Sequence, residues 1–266
     1  MAIDGNQPSV SLPGGRTLPM VGLGTWEMTG SQCYRAVRHA LDVGYRHIDT
    51  ATMYRNERDV GRAVRDSGVP REEVFVTTKL QAGDAGRERS TLEESLRALG
   101  MDYVDLWLIH WPPAGTGAQV WKRFLTLRDQ GLARAVGVSN YSTTQLDELD
   151  RATGERPEVN QIRWGPTLHD PDELLAYRRR GVVLEGYSPF KTTDLRHPAL
   201  AEVAERHGVT PGQVVIRWHI DHGVVVIPKS ATPERIATNF DVFGFSLDAE
   251  DRSRVDALSG AVARRR

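Results

Sequence analysis

The sequence has little of several things, and each scarcity narrows the reading. There is one cysteine, Cys33, in 266 residues. An internal disulfide is therefore excluded, and a reduced cytoplasmic setting is expected. No apolar run approaches the ~18 residues needed to span a bilayer. The first residues, MAIDGNQPSVSLPGG, lack a basic stretch followed by an apolar core, so no signal peptide is read. Net charge is also nearly absent, at −1. That argues against nucleic acid or a membrane surface as a mainly electrostatic partner. Lysine is scarce too. Only Lys79, Lys122, Lys191 and Lys229 occur among 34 basic residues. Each is worth inspecting, because lysine is a compact charge whose pKa responds to its surroundings.

What is present is a regular alternation. Residues 9–20 read as a hairpin around Pro13-Gly14-Gly15. Apolar strand patterns then fall at 21–24, 46–50, 74–79, 104–110, 133–139, 157–162, 182–188 and 224–228. Helical spacing falls between them, at 31–43, 57–67, 87–99, 118–130, 143–152 and 171–180. Further helices follow at 198–207, 211–222, 233–239 and 248–258. Eight strands alternating with helices, without a linker, fit a single α/β domain over 1–266. The fold class is a (β/α)8 TIM barrel with an N-terminal β-hairpin and extra C-terminal helices. An open doubly wound sheet fits less well. Gly22-Leu23-Gly24-Thr25-Trp26-Glu27 is not the phosphate-loop pattern such a sheet usually carries.

In such a barrel, chemistry gathers at the carboxyl ends of strands. Those ends are Asp49 with Tyr54 beyond it, Lys79, His110, Ser139-Asn140, Asn160-Gln161, Tyr187-Ser188 and Lys229-Ser230. Singly, each has a bland reading as a core histidine, a structural ion pair or a loop tyrosine. Together, an acid, a phenol, a lysine and an imidazole on adjacent strands form a proton-donating device. A phenol of pKa ~10 is a poor acid near neutrality, and a nearby ammonium lowers that pKa. A carboxylate would hold the lysine charged. A neutral imidazole would orient a substrate oxygen.

The stretches GYRHIDTATMYRNERDVG, LGMDYVDLWLIHWP, AVGVSN, NQI, GYSPF and IPKSATPERIATNFDVF resemble the aldo-keto reductases. They are most similar to compact bacterial members such as the 2,5-diketo-gluconate reductases. The resemblance runs from Pro8 to Ala257. It implies NADPH-dependent reduction of an aldehyde or ketone by a monomer. Tyr54 would be the proton donor, Lys79 and Asp49 its support, and His110 the group that positions the carbonyl. For NADPH it implies Gly24, Thr25 and Trp26 at the nicotinamide end, with Tyr187 stacked on the ring. Ser139, Asn140 and Gln161 would hold the carboxamide, and Ser188, Pro189 and Phe190 would follow the pyrophosphate. Asn239 would meet the adenine. Ser230, Thr232 and the N-terminus of helix 233–239, with Lys229 and Arg235, make an anion site suited to a 2′-phosphate.

Some residues depart from the pattern. Arg55 stands where relatives often have glycine, and it reads best as a solvent-pointing loop residue. Arg163-Trp164-Gly165 replaces a glutamate-containing stretch. The loop after strand 104–110 is short, and little chain follows helix 248–258. An open, shallow pocket walled by Trp26, Tyr54, His110 and Trp111 is expected, with weak discrimination among carbonyl compounds. Trp107, Trp218 and Cys33 read as core. No metal site is expected, because His219 and His222 share a helix without a third ligand in view. The terminal ARRR reads as a solvated end.

Overall fold

The computed structural model describes residues 7–259. The chain runs β1 (Ser9–Ser11), β2 (Thr17–Pro19), β3 (Leu23–Gly24), α1 (Gly30–Val43), β4 (His47–Asp49), α2 (Glu57–Asp66) and β5 (Phe75–Leu80). It continues through α3 (Glu88–Leu99), β6 (Val104–Ile109), α4 (Gly117–Asp129), β7 (Ala133–Ser139), α5 (Thr143–Thr153), β8 (Val159–Arg163) and α6 (Pro171–Arg180). The last elements are β9 (Val183–Tyr187), α7 (Pro198–His207), α8 (Pro211–Asp221), β10 (Val225–Ile227), α9 (Pro233–Phe240) and α10 (Ala249–Asp256).

Strands β3 to β10 lie side by side in chain order, all parallel. The ring closes where β3 meets β10. Gly22 N–H donates to the Val226 carbonyl at 2.9 Å, and Gly24 N–H to the Pro228 carbonyl at 3.1 Å. Gly24 is needed at this seam, because a Cβ there would sit 2.9 Å from the Ile227 carbonyl oxygen. The expected barrel is therefore the observed fold. The strands are shorter than their apolar patterns suggest by one to two residues at several ends.

The hairpin β1–β2 pairs Ser9 with Pro19 and Ser11 with Thr17. Leu12 and Leu18 from it cluster with Phe75, Leu106, Leu108, Ala135, Val159 and Val225. The hairpin thus plugs the base of the barrel with hydrocarbon. The larger core lies between the strands and the helices, where Trp107 stacks on Phe124 with ring centroids 3.8 Å apart. Trp107, Trp218 and Cys33 are fully buried, as expected. Burial pushes the Cys33 thiol up to about 12, so it is held as an inert thiol.

The period of two along each strand sets the rest. In β6, Leu106 and Leu108 face the barrel interior, so His110 does too. In β5 the same series is Phe75, Thr77, Lys79. In β8 it is Val159, Gln161, and in β9 it is Glu185, Tyr187. The interior is apolar at the base and turns polar at the mouth. Among the described residues, no helix is long and apolar enough to cross a membrane. The ARRR tail lies outside the described residues.

Candidate active site

The segment after β4 builds the site's first half. Gly44 ends α1 with φ +112, its N–H donating to the Ala40 and Leu41 carbonyls. The strand His47–Asp49 follows, then a short 3-10 turn, Thr52–Tyr54. Arg55 ends that turn with φ +55, in the left-handed region. This explains why glycine suits the position, and Arg55 itself is solvent-exposed as expected. Behind the turn, Asn56 is fully buried. Its Nδ2 donates to the carbonyls of Thr25 and Met28, at 2.9 and 2.8 Å, and its Oδ1 accepts from Thr50 at 2.6 Å. Asn56 therefore fixes the loop that carries Trp26.

Asp49, Lys79, Tyr54 and His110 come together as the sequence suggests. Lys79 Nζ donates to Asp49 Oδ1 at 2.6 Å, to the Thr50 carbonyl at 2.8 Å and to the Tyr54 hydroxyl at 3.4 Å. All three ammonium donors are thus used. Burial opposes the charge on Lys79, yet Asp49, Tyr54 and Glu185 outweigh it, and its pKa is raised. Lys79 is a fixed cation. The His110 and Tyr54 rings lie 5.8 Å apart, edge to face. Burial, with Lys79 adding to it, pushes His110 down to about 3. The imidazole is neutral, as expected, and its Nδ1 has no partner among the described residues.

One expectation is corrected. The Tyr54 phenol does not have a net lowered pKa in the protein alone. Burial raises it, and Lys79 offsets only part of that rise. The lysine's contribution has the expected sign but is smaller than desolvation.

A cavity of about 360 Å³ opens above this group. Gly24, Trp26, Asp49, Tyr54, His110, Trp111, Asn140, Gln161, Tyr187 and Ser188 line it, and Pro189, Phe190 and Lys229 extend it along the rim. Glu27, Met53 and Ile227 also line it, and sequence reasoning did not single these out; Lys191, noted only as a scarce lysine, lines it too. Trp26 and Trp111 are 39% and 51% exposed. With Met53 they form an apolar lip, and Trp26 meets the Tyr54 ring edge-on at 4.9 Å.

Other expected residues divide. Asn140, in the left-handed region at φ +63, donates to the His110 carbonyl and to Ser139 Oγ, both at 3.0 Å. Its Oδ1 accepts from the Tyr187 hydroxyl at 2.8 Å. Ser139 Oγ donates to the Gln161 carbonyl at 2.8 Å. Thr25 is buried, with its hydroxyl on the Asp49 carbonyl at 2.9 Å, and supports the site from behind. Asn160 faces the helices and bonds Tyr141 and Tyr177. Lys229, Thr232 and Arg235 are exposed, while Ser230 and Asn239 are buried. No side chain caps the start of α9, so its first-turn amides remain open to an anion.

The sequence reading missed Glu185 and His47, both fully buried beneath the tetrad. Gln161 Nε2 donates to Asp49 Oδ2 at 2.8 Å and to Glu185 Oε2 at 3.1 Å. Glu185 Oε1 lies 3.5 Å from His47 Nε2. Burial first, then Asp49, pushes the Glu185 carboxyl up to about 8. Burial, reinforced by Lys79, pushes His47 down to about 3. Near neutrality this layer holds a protonated acid and a neutral imidazole. The available signal was Glu185's position two residues before Tyr187, on the same strand face.

Known proteins resemble this chain over most of its length. The model described as the aldo/keto reductase family matches residues 20–259. An aldo-keto reductase of Mycolicibacterium smegmatis is 45% identical over 94% of this chain and 93% of its own length. The glycerol 2-dehydrogenase (NADP(+)) of Saccharomyces cerevisiae is 42% identical over 94% of this chain and 90% of its own. The crystal structure of an aldo/keto reductase from Brucella melitensis superimposes with a TM-score of 0.91 at 39% identity. That match covers 95% of this chain and all of the other.

Proposed function

The chain belongs to the aldo/keto reductase family, and from that premise we propose the roles of its site residues in reducing an aldehyde or ketone with NADPH. The observation that carries the proposal is the unbroken contact from Asp49 through Lys79 to the Tyr54 hydroxyl, with neutral His110 across the same cavity.

Tyr54 is the general acid. Its hydroxyl protonates the carbonyl oxygen as the carbon receives hydride, and Lys79 stabilises the phenolate that forms. That stabilisation belongs to the charged product of proton transfer. It therefore operates even though burial raises the resting phenol. Asp49 keeps the ammonium charged and aimed. His110 donates to the carbonyl oxygen and fixes its direction, which a protonated imidazole would not be needed to do. Bound NADPH supplies the hydride from its nicotinamide C4.

The residues present fit that cofactor. Tyr187 offers a ring beside the cavity. Asn140 Oδ1 retains a lone pair beyond the one Tyr187 uses, and with Ser139 and Gln161 it suits a carboxamide. Gly24 and Trp26 border the same end, over buried Thr25. Ser188, Pro189 and Phe190 follow the rim toward Lys229. Ser230, Thr232, Arg235 and the uncapped start of α9 suit a phosphate, with Asn239 for the adenine.

The substrate we propose is a small carbonyl compound gripped by Trp26, Met53 and Trp111, with broad tolerance because the lip is exposed. The same proposal makes the protein a cytoplasmic monomer. The test is NADPH oxidation, followed by absorbance across a panel of aldehydes and ketones. Tyr54→Phe is expected to lower kcat about 10²–10⁴-fold, the usual worth of a positioned general acid. Full rate in that variant, or an inert wild type, refutes the assignment.

A further inference from the structure

On the outside of the barrel, three elements bring two imidazoles and a carboxylate together. His169 follows β8, His222 ends α8, and Asp256 is the last residue of α10. Their ligand atoms all lie within 4.8 Å of one another. His222 Nε2 is 2.9 Å from Asp256 Oδ1, and His169 Nε2 is 3.7 Å from it. We propose that His169, His222 and Asp256 form a site for a divalent transition ion of the zinc type. The reading from sequence alone stopped at His219 and His222. His219 instead is fully buried, with Nδ1 on the Val215 carbonyl at 2.7 Å.

The donor chemistry suits such an ion. Two imidazoles and one carboxylate, with a fourth position left for water, are the usual set for zinc. Bonds of about 2.0–2.2 Å to one tetrahedral centre place neighbouring ligand atoms about 3.3–3.6 Å apart. The observed 2.9 and 3.7 Å bracket that range.

Three further features point the same way. The carboxylate is already held in place, because Trp218 Nε1 donates at 2.7 Å to Asp256 Oδ1, the oxygen both imidazoles face. His222 and Asp256 stand at the C-terminal ends of two helices, where the backbone dipoles favour a cation. His169 Nε2 is the nitrogen facing Asp256, and its ring is set in a recess walled by Trp164 and Trp218. Arg178 is the opposing charge. Its guanidinium donates to the His222 carbonyl at 2.7 Å. An ion held here would clamp α10 against α8 and the loop after β8. Its role is structural, separate from the barrel mouth.

The test uses full-length, tag-free protein freed of metal with a chelator and titrated with Co²⁺. Expected is a visible ligand-field absorption that saturates at one equivalent and is abolished by Zn²⁺, which binds such sites more tightly. His169→Ala, His222→Gln and Asp256→Asn are each expected to weaken cobalt binding at least tenfold. Unchanged NADPH-dependent activity in those variants certifies their fold, since none touches the mouth. Absence of the cobalt spectrum in wild type overturns the proposal. So does equal affinity in any correctly folded variant of the three, because the ion would then sit elsewhere.

Discussion

Replacing Glu185 by glutamine changes one proton-binding group and almost no volume, and its consequence follows from the site's electrostatics. Glu185 is fully buried and touches Gln161 and His47, with Asp49 and Lys79 beyond. Its carboxyl is pushed from 4.5 to about 8 by burial and by Asp49. The folded protein therefore holds a proton that the unfolded chain releases. The stability this group contributes is fully present below pH 4.5, falls as pH rises, and stops falling above about 8, where both states have lost the proton. Each pH unit within that window is about 1.4 kcal/mol. Between pH 6 and pH 9 the loss from this one group is thus about 3 kcal/mol. Glutamine cannot ionise, so the stability of Glu185→Gln relative to wild type should rise by about that amount over the same interval. At roughly 2 cal/mol/K per residue of unfolding entropy, this is about 5 °C in relative melting temperature. Urea denaturation and thermal melts of both proteins at pH 6 and pH 9 measure it. A catalytic readout accompanies it. Ionised Glu185 adds negative charge near Lys79 and Tyr54, raising the phenol's pKa and making it a poorer acid. The ratio of kcat for Glu185→Gln over wild type should therefore climb through pH 8. Parallel stability differences at the two pH values, with parallel rate profiles, would refute the reasoning.

Two other outcomes are expected. Lys229→Ala with Arg235→Ala should raise KM for NADPH at least tenfold while leaving KM for NADH within about twofold, since each exposed charge–phosphate contact supplies on the order of 1 kcal/mol; steady-state kinetics with both cofactors measures this. Arg55→Gly should stabilise the fold by about 1 kcal/mol in urea denaturation, because a side chain at φ +55 carries a strain that glycine does not.

The residues legible in the sequence share a physical reason. Asp49, Lys79 and His110 end strands, and a strand end at the carboxyl side of a parallel barrel has only one place to go. Tyr54 was readable because a phenol five residues past such an acid has no role in packing. The hairpin was readable from Pro13-Gly14-Gly15, although its use as a plug needed Leu12 and Leu18 to meet Phe75 and Leu106 across the barrel. What stayed hidden depends on distance in the chain. Asn56 looks like an ordinary helix cap until its amide is seen bridging Thr25 and Met28. His169, His222 and Asp256 belong to three elements whose mutual approach no local pattern encodes.

Glu185 is the most instructive of these, because period two along β9 puts it on the same face as Tyr187, a signal the sequence reading left unused. The obstacle was chemical. A glutamate in an apolar strand reads as a defect unless something accounts for its burial. Here part of the account is Gln161, whose amide nitrogen donates to Asp49 Oδ2 and Glu185 Oε2 at once, while Glu185 Oε1 faces His47 Nε2 at 3.5 Å without a hydrogen bond among the described residues. Two carboxylates and one lysine in a closed layer cannot all be ionised without leaving net charge in a low dielectric. Burial raises both carboxyls; Lys79 and Gln161 offset part of that rise at Asp49, while Glu185, which does not touch Lys79, is pushed up to about 8 and holds its proton near neutrality. The tetrad therefore rests on a neutral floor, and the Lys79 charge is directed toward Tyr54 without being divided between two acids. If that is the reason for the arrangement, Gln161→Leu should be more damaging than its place beside the cofactor track implies. It would strip Asp49 of its second side-chain partner and Glu185 of its one close donor among the described residues, and the Glu185 titration should move above 8 in the pH-dependent stability of that variant.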